Sequence, residues 1–276
     1  MLNIEYQKEY VKIKNVSYFE LEQTLDCGQA FRWQKNNDGS WNGIAKGKCI
    51  NISKEKDDII IYGASKEEFE GIWLDYFDFS RNYESIYNSL TQNEILKKAA
   101  EYGQGIRILN QEPFETLCSF IISQNNNIPR IKGIIERLCE NFGTKCGERY
   151  TFPDAKTLAK LTVDDLAVIR SGFRAKYIID AAKKVASGEI DLDSLKTADI
   201  DTAREALMKI KGVGPKVADC VLLFSLSHIN AFPKDVWIKR AMEVLFKGEL
   251  PDCAKEYGGI AQQYIFYYAR SGNLNV

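Results

Sequence analysis

The stretch Leu207-Met-Lys-Ile-Lys-Gly-Val-Gly-Pro-Lys-Val-Ala-Asp-Cys-Val-Leu-Leu-Phe224 decides how the chain is read. Leu207 and Ile210 close one amphipathic helix, and Gly212-Val213-Gly214 turns the chain. Pro215 then opens a second helix at a position where its missing N–H costs nothing. Two glycines around one apolar residue let another backbone approach closely. They also leave turn N–H groups and a helix N-terminus facing outward, which suits an anion such as a phosphate. The same residues serve an ordinary helix hairpin equally well, so the turn alone predicts the hairpin and not its ligand.

Lys216 adds chemistry. It falls in the first turn of the second helix, where the positive end of the macrodipole disfavours a cation. That field, with any desolvation, favours the neutral amine and so a nucleophile. Cys220 lies one turn further along the same face. Nineteen residues after Lys216, Asp235 precedes the apolar-periodic run that begins at Val236. Its plain role is an N-cap, worth about 1 kcal/mol. A capping carboxylate is also held rigidly, and near Lys216 it could stabilise a positive sugar as a glycosidic bond breaks.

Outward from the hairpin, helical periodicity runs back to about Arg81, over 84–102, 113–123, 130–142, 157–166, 176–187 and 202–210. Forward, it runs over 215–226, 236–246 and 256–268. Gly143, Gly172 and Gly188 punctuate these segments. The first third instead alternates with a period of two: Tyr10–Val16, a hairpin through Asn37-Asp-Gly-Ser40, then 49–53 and 58–62, with helices near 17–26 and 66–75. The expected class is α+β: an antiparallel sheet domain over 1–80, packed on a mostly helical region over 81–276, with the hairpin at 202–226.

The chain has 276 residues, 45% hydrophobic and 27% charged, as in an ordinary globular protein. No apolar run reaches the roughly 18 residues of a membrane span, and MLNIEYQKEY has no basic-then-apolar signal pattern. An intracellular protein of the cytoplasm or nucleoid, monomeric and without a membrane partner, is expected. The seven cysteines (Cys27, Cys49, Cys118, Cys139, Cys146, Cys220, Cys253) form no CxxC pair, and reduced thiols are the simplest reading. No metal site is expected, because Cys253 alone follows Cys220 and His228 is the single histidine. The net charge of −1 hides a polarised distribution. Residues 55–84 hold nine acids against three bases, 125–185 twelve bases against seven acids, and 204–240 seven against three. Chance clustering on solvated faces would explain any one of these segments.

Four further segments extend the pattern: Gly28-Gln-Ala-Phe-Arg-Trp33, Gly105-Ile-Arg-Ile-Leu-Asn-Gln-Glu-Pro-Phe-Glu115, Ser119-Phe-Ile-Ile-Ser-Gln-Asn-Asn-Asn-Ile-Pro-Arg-Ile131 and Ala261-Gln-Gln-Tyr-Ile-Phe266. With the Lys216–Asp235 spacing, they resemble the helix-hairpin-helix DNA glycosylases and, within them, the 8-oxoguanine DNA glycosylase family. That resemblance implies base excision repair on double-stranded DNA containing oxidised guanine, by base flipping. Lys216 would attack the sugar C1′ and form a Schiff base leading to strand cleavage, with Asp235 assisting. Gly28 would accept the N7–H that only the oxidised base carries. Gln262 would read the Watson–Crick edge, while Phe266 and Cys220 sandwich the base. Asn125 would fill the hole in the duplex. Arg130 and Arg174 would bond the orphaned cytosine, and Phe173 would wedge into the stack. Gly212, Val213 and Gly214 would hold a phosphate, with room for a monovalent cation on their turn carbonyls. No other cofactor and no iron–sulfur cluster is implied.

Taken without the family, Phe266 reads equally as core, Asn125–Asn127 as a loop or cap, and Arg130 and Arg174 as surface arginines. Gln29 and Arg32 read as supports of the sheet. The sequence also departs from the eukaryotic pattern of the family. Phe173 replaces a Tyr, Trp237 a phosphate-binding His, and Ala269 that histidine's Asp partner. Two other readings stay open: a glycosylase for another damaged base, and a non-catalytic DNA-binding module.

Overall fold

The structure, a computed structural model, describes residues 2–273. Its N-terminal part is a six-stranded antiparallel sheet of β1 (Asn3–Tyr6), β2 (Tyr10–Lys14), β3 (Trp33–Lys35), β4 (Trp41–Ala45), β5 (Lys48–Glu55) and β6 (Asp58–Tyr62), in the order β1-β2-β6-β5-β4-β3. The period-two alternation sets its buried face. Val11 pairs with Ile61, Ile61 with Ile52 and Ile52 with Trp41, so four apolar side chains form one row across the sheet. Phe69, Trp73, Tyr76 and Phe77, from the helical run 66–76 and its end, cover that row. Gly43 lets the Trp33 ring lie flat on β4: a Cβ there would sit 2.5 Å from the ring. The Trp33 Nε1–H donates to the Tyr76 hydroxyl at 3.1 Å.

The remaining chain is mostly helical: α1 (Tyr83–Leu90), α2 (Glu94–Tyr102), α3 (Pro113–Ser123), α4 (Ile128–Phe142), α5 (Ala175–Ala186), α6 (Ile200–Met208), α7 (Pro215–Ser225), α8 (Val236–Phe246) and α9 (Gly258–Tyr268). These bury a second core that includes Ile121, Ile134, Ile178, Leu207 and Val221. The segment between α2 and α3 joins the two parts. Arg107, 6% exposed, donates to the carbonyls of Tyr18, Asp78 and Ser17, and its guanidinium lies 4.5 Å from the Tyr83 ring centroid. Gln29, fully buried, donates to the carbonyls of Thr24 and Arg107 and accepts from the Leu109 N–H. Arg32 is buried at the same joint, against Glu115 and the Tyr150 carbonyl.

Four details differ from the sequence expectation. The single helical run over 84–102 is two helices, because Asn93 accepts from the N–H groups of Ile95 and Leu96 and caps a new start. The run over 157–166 is a short helix at Ala155–Ala159, followed by a 3-10 turn at Asp165–Ile169. Strand β1 and the two-residue hairpin β7 (Lys145–Cys146) and β8 (Arg149–Tyr150) are too short for a periodic signal. Finally, Cys49 of β5 and Cys146 of β7 are joined as a disulfide, whereas all seven thiols were expected to be reduced. Their separation of 97 residues carries no motif, and only the fold makes them neighbours.

Candidate active site

The hairpin forms as the glycines dictate. Gly212 has φ +80°, and a Cβ there would lie 2.5 Å from the Tyr177 ring of α5. A glycine is therefore required by conformation and by space. Gly214, the N-cap of α7, meets nothing within 4 Å where a Cβ would stand, and no side chain caps the helix. The turn is therefore open at Gly214, and the first-turn N–H groups of α7 have no side-chain cap. Arg204 of α6 and Asp219 of α7 pair across the hairpin at 2.7 Å and fix the two helices together.

The start of α7 delivers Lys216 into a cavity of about 880 Å³. Gly28, Asn125, Gly214, Asp235 and Phe266 line the same cavity. The Lys216 ammonium lies 5.2 Å from the centroid of the Phe120 ring and 3.4 Å from Ser123 Oγ. The Ser123 hydroxyl donates to the Phe120 carbonyl, so it faces the amine as an acceptor. Phe120 in turn stacks on Phe224, with centroids 5.4 Å apart. The Lys216 nitrogen thus rests on an aromatic floor, on a half-buried residue that lines the cavity.

Asp235 is the N-cap of α8, and its Oδ1 accepts from the Ile238 N–H at 2.8 Å. Burial pushes its carboxyl above the ordinary range, while the Ile238 amide and the Lys216 charge pull it back down. Cap and electrostatic partner are therefore one group. Burial pushes the Cys220 thiol up to about 11, against the opposing charge of Lys216. Cys220 is then a neutral side chain beneath the amine, not a rival nucleophile.

The other candidate residues fall into two places. Cys220 and Gln262 are buried, at 2% and 3% exposure, and neither lines the cavity. The Gln262 Oε1 accepts from Gln263 Nε2 at 2.7 Å. Arg130, Phe173 and Arg174 form a cluster beside the cleft. Phe173 is 52% exposed, and the Arg174 guanidinium lies 4.4 Å from its ring centroid. Arg174 is only 3% exposed and donates to the carbonyls of Gln124, Asn125 and Ser171. Its guanidinium value is lowered by burial and by the neighbouring Arg130 charge. In the asparagine run, Asn125 is exposed with φ +47°, Asn126 donates to the Ile122 carbonyl, and Asn127 caps α4. Gly212 and Val213 lie off the cavity, which only Gly214 of the three lines.

Sequence reasoning missed several lining residues: Phe31, Phe120, Ser123, Lys234, Lys239 and Arg270. Lys234 and Lys239 were visible only as members of a basic run, and Arg270 carried no signal. Trp237 lines the cavity mouth at 44% exposure, and Ala269 is buried. Among the described residues, no group of His, Cys, Asp and Glu could hold a metal ion.

A sheet domain on a helical body, with a glycine hairpin delivering a lysine beside a capped aspartate, defines the class of helix-hairpin-helix base excision repair proteins. The HhH-GPD superfamily base excision DNA repair protein model matches residues 118–252. The model of the 8-oxoguanine DNA glycosylase N-terminal domain matches residues 11–117. The chain is 34% identical over 255 residues to an N-glycosylase/DNA lyase of Saccharomyces cerevisiae, covering 82% of this chain and 68% of the relative. It is 32% identical over 232 residues to a probable N-glycosylase/DNA lyase of Methanothermobacter thermautotrophicus, covering 72% of this chain and 74% of that one. The Clostridium acetobutylicum 8-oxoguanine glycosylase/lyase, solved with double-stranded DNA containing cytosine opposite 8-oxoguanine, superposes with a TM-score of 0.93 at 41% identity over 99% of both chains. The chain belongs to the 8-oxoguanine DNA N-glycosylase/lyase family. No helix among the described residues is long and apolar enough to cross a membrane.

Proposed function

We propose that the protein excises 8-oxoguanine from duplex DNA, with preference for cytosine opposite, and then cleaves the strand through a Schiff base on Lys216. The observation that carries this is the convergence of Lys216, Asp235, Gly28 and Phe266 on one cavity, although they come from four separated parts of the chain. The cavity is large enough for a flipped nucleobase.

The neutral Lys216 amine attacks C1′ as the glycosidic bond breaks. The bonding pair leaves with the base, which takes up a proton. The Asp235 carboxylate sits where positive charge develops on the sugar. The ammonium formed by the attack gives up one proton to the departing base; the nitrogen lone pair then opens the sugar ring, O4′ taking up a proton, to give a C1′=N iminium that keeps its N–H. Removal of a C2′ proton then expels the 3′ phosphate, which nicks the strand. Gly28 offers a backbone acceptor to N7–H; ordinary guanine would set two acceptors face to face and leave a buried group unpaired. Gln262 reads the Watson–Crick edge of the base, and Phe266 and Cys220 sandwich it. Asn125 replaces the extruded base, Phe173 wedges the stack, and Arg130 meets the orphaned cytosine, while Arg174 braces the Gln124 and Asn125 carbonyls behind it. Gly212, Val213 and Gly214 hold a phosphate; a monovalent cation on their turn carbonyls would strengthen that contact without supplying a chemical step. The protein acts as a monomer on DNA in the cytoplasm or nucleoid.

Borohydride added during reaction with an 8-oxoguanine:cytosine duplex is expected to trap a covalent adduct, and Lys216→Gln is expected to abolish it. Strand cleavage by that variant at the wild-type rate would refute the assignment. So would salt-dependent DNA binding by the wild-type protein with no product.

A further inference from the structure

Gly28 has φ +99°, and the space beside its Cα is bounded by three groups. Measured from where a Cβ would stand, Ile128 Cδ1 lies at 3.6 Å, Phe266 Cε1 at 3.6 Å and Arg270 Nη1 at 3.7 Å. Two of these are apolar and the third is a guanidinium. Arg270 follows Phe266 by four residues, and the helical run continues beyond α9 through Ala269–Asn273, so both side chains reach the same wall. Arg270 is exposed, lines the cavity, and makes no hydrogen bond or ion pair among the described residues. Its donors are therefore not committed to the fold, unlike those of Arg107 and Arg174.

We infer that Arg270 is a specificity-determining residue that donates to an exocyclic oxygen of the flipped base; this rests on the reading of Gly28 given above. Along one edge, oxidised guanine presents O6, N7–H and O8: an acceptor, a donor and an acceptor. An edge of that pattern calls for a protein donor next to a protein acceptor. Gly28 supplies the acceptor, and the guanidinium beside it supplies the donor with a fixed planar fork and a permanent charge. A hydrogen bond from a charged donor in a partly dry cleft is stronger than a neutral one. The glycine thus keeps the wall thin enough for base and guanidinium to meet across it.

The test compares two substrates with Arg270→Met and Arg270→Lys. The first is a duplex with 8-oxoguanine opposite cytosine under single-turnover conditions. The second is the same duplex with a preformed abasic site, which retains the phosphates and the Lys216 chemistry but has no base to read. Arg270→Met is expected to slow excision about 10- to 100-fold, with a much smaller loss in nicking of the abasic site. Arg270→Lys, which keeps a charge but loses the fork, is expected to fall between. Because Arg270 is exposed, the thermal midpoints should stay together. Equal losses on both substrates would show a phosphate contact and overturn the proposal, as would no loss on either. Wild-type protein that nicks the abasic duplex but leaves 8-oxoguanine in place would instead overturn the underlying substrate reading, and this proposal with it.

Discussion

At the scale of the residue, the site is built from groups that do two jobs. Asp235 caps a helix and faces a lysine, and Ser123 bonds its own helix and accepts from the amine. Arg174 departs furthest from its sequence reading. The residue type suggests a base contact or a surface cation, but the guanidinium is a buried strut under the Gln124–Asn125 carbonyls. It holds Asn125 in a left-handed backbone conformation that a non-glycine residue seldom adopts. Replacing Arg174 with Ala should strip those carbonyls of partners and cost about 2–4 kcal/mol in urea unfolding. Arg130→Ala, at an exposed position, should stay within about 0.5 kcal/mol of wild type. If Arg174→Ala were as stable as Arg130→Ala, the strut would be refuted.

At the scale of the element, the two hairpin glycines answer different needs. Gly212→Ala must strain a positive φ and collide with Tyr177. It should lower stability by roughly 1–3 kcal/mol and misplace Lys216. Gly214→Ala has open space and an ordinary φ of −101°. Its thermal midpoint should hold within a few degrees of wild type, while affinity for DNA falls because a methyl group stands where a phosphate would approach the turn. Loss of stability in both variants, or in neither, would remove this distinction. The helices flanking the hairpin were legible because their punctuation is local: Pro215 and Asp235 mark starts that the structure keeps. The break at Asn93 and the 3-10 turn at Asp165–Ile169 were not, because apolar spacing continued across them.

At the scale of the whole molecule, the joint between sheet and helices holds a buried charge pair. Arg32 Nη1 lies 3.8 Å from the Glu115 carboxylate. Burial nevertheless pushes Glu115 up to about 7, with Arg32 opposing and Glu112 adding to the rise. The folded protein therefore keeps this proton to higher pH than the unfolded chain does. The stabilising contribution is complete below the ordinary glutamate range, near pH 4.5, and is lost as pH rises through about 7. Wild type should lose roughly 1–3 kcal/mol across that window relative to Glu115→Gln, measured as the difference between their unfolding free energies at each pH. Parallel pH profiles for the two proteins would contradict the assignment.

By itself, the sequence determined what is written locally: periods of two and 3.6, glycine and proline punctuation, a helix-cap aspartate, and a lysine where a helix dipole disfavours it. These fixed the class of the fold and singled out the pair Lys216 and Asp235. Only the tertiary structure decided which distant groups share a surface. It set Gly28 against Phe266 and Arg270, spent Arg174 on three carbonyls, and joined Cys49 to Cys146. The reason is physical. Local preferences depend on neighbours along the chain, whereas burial, desolvation and access depend on neighbours in space, which only the packed core specifies.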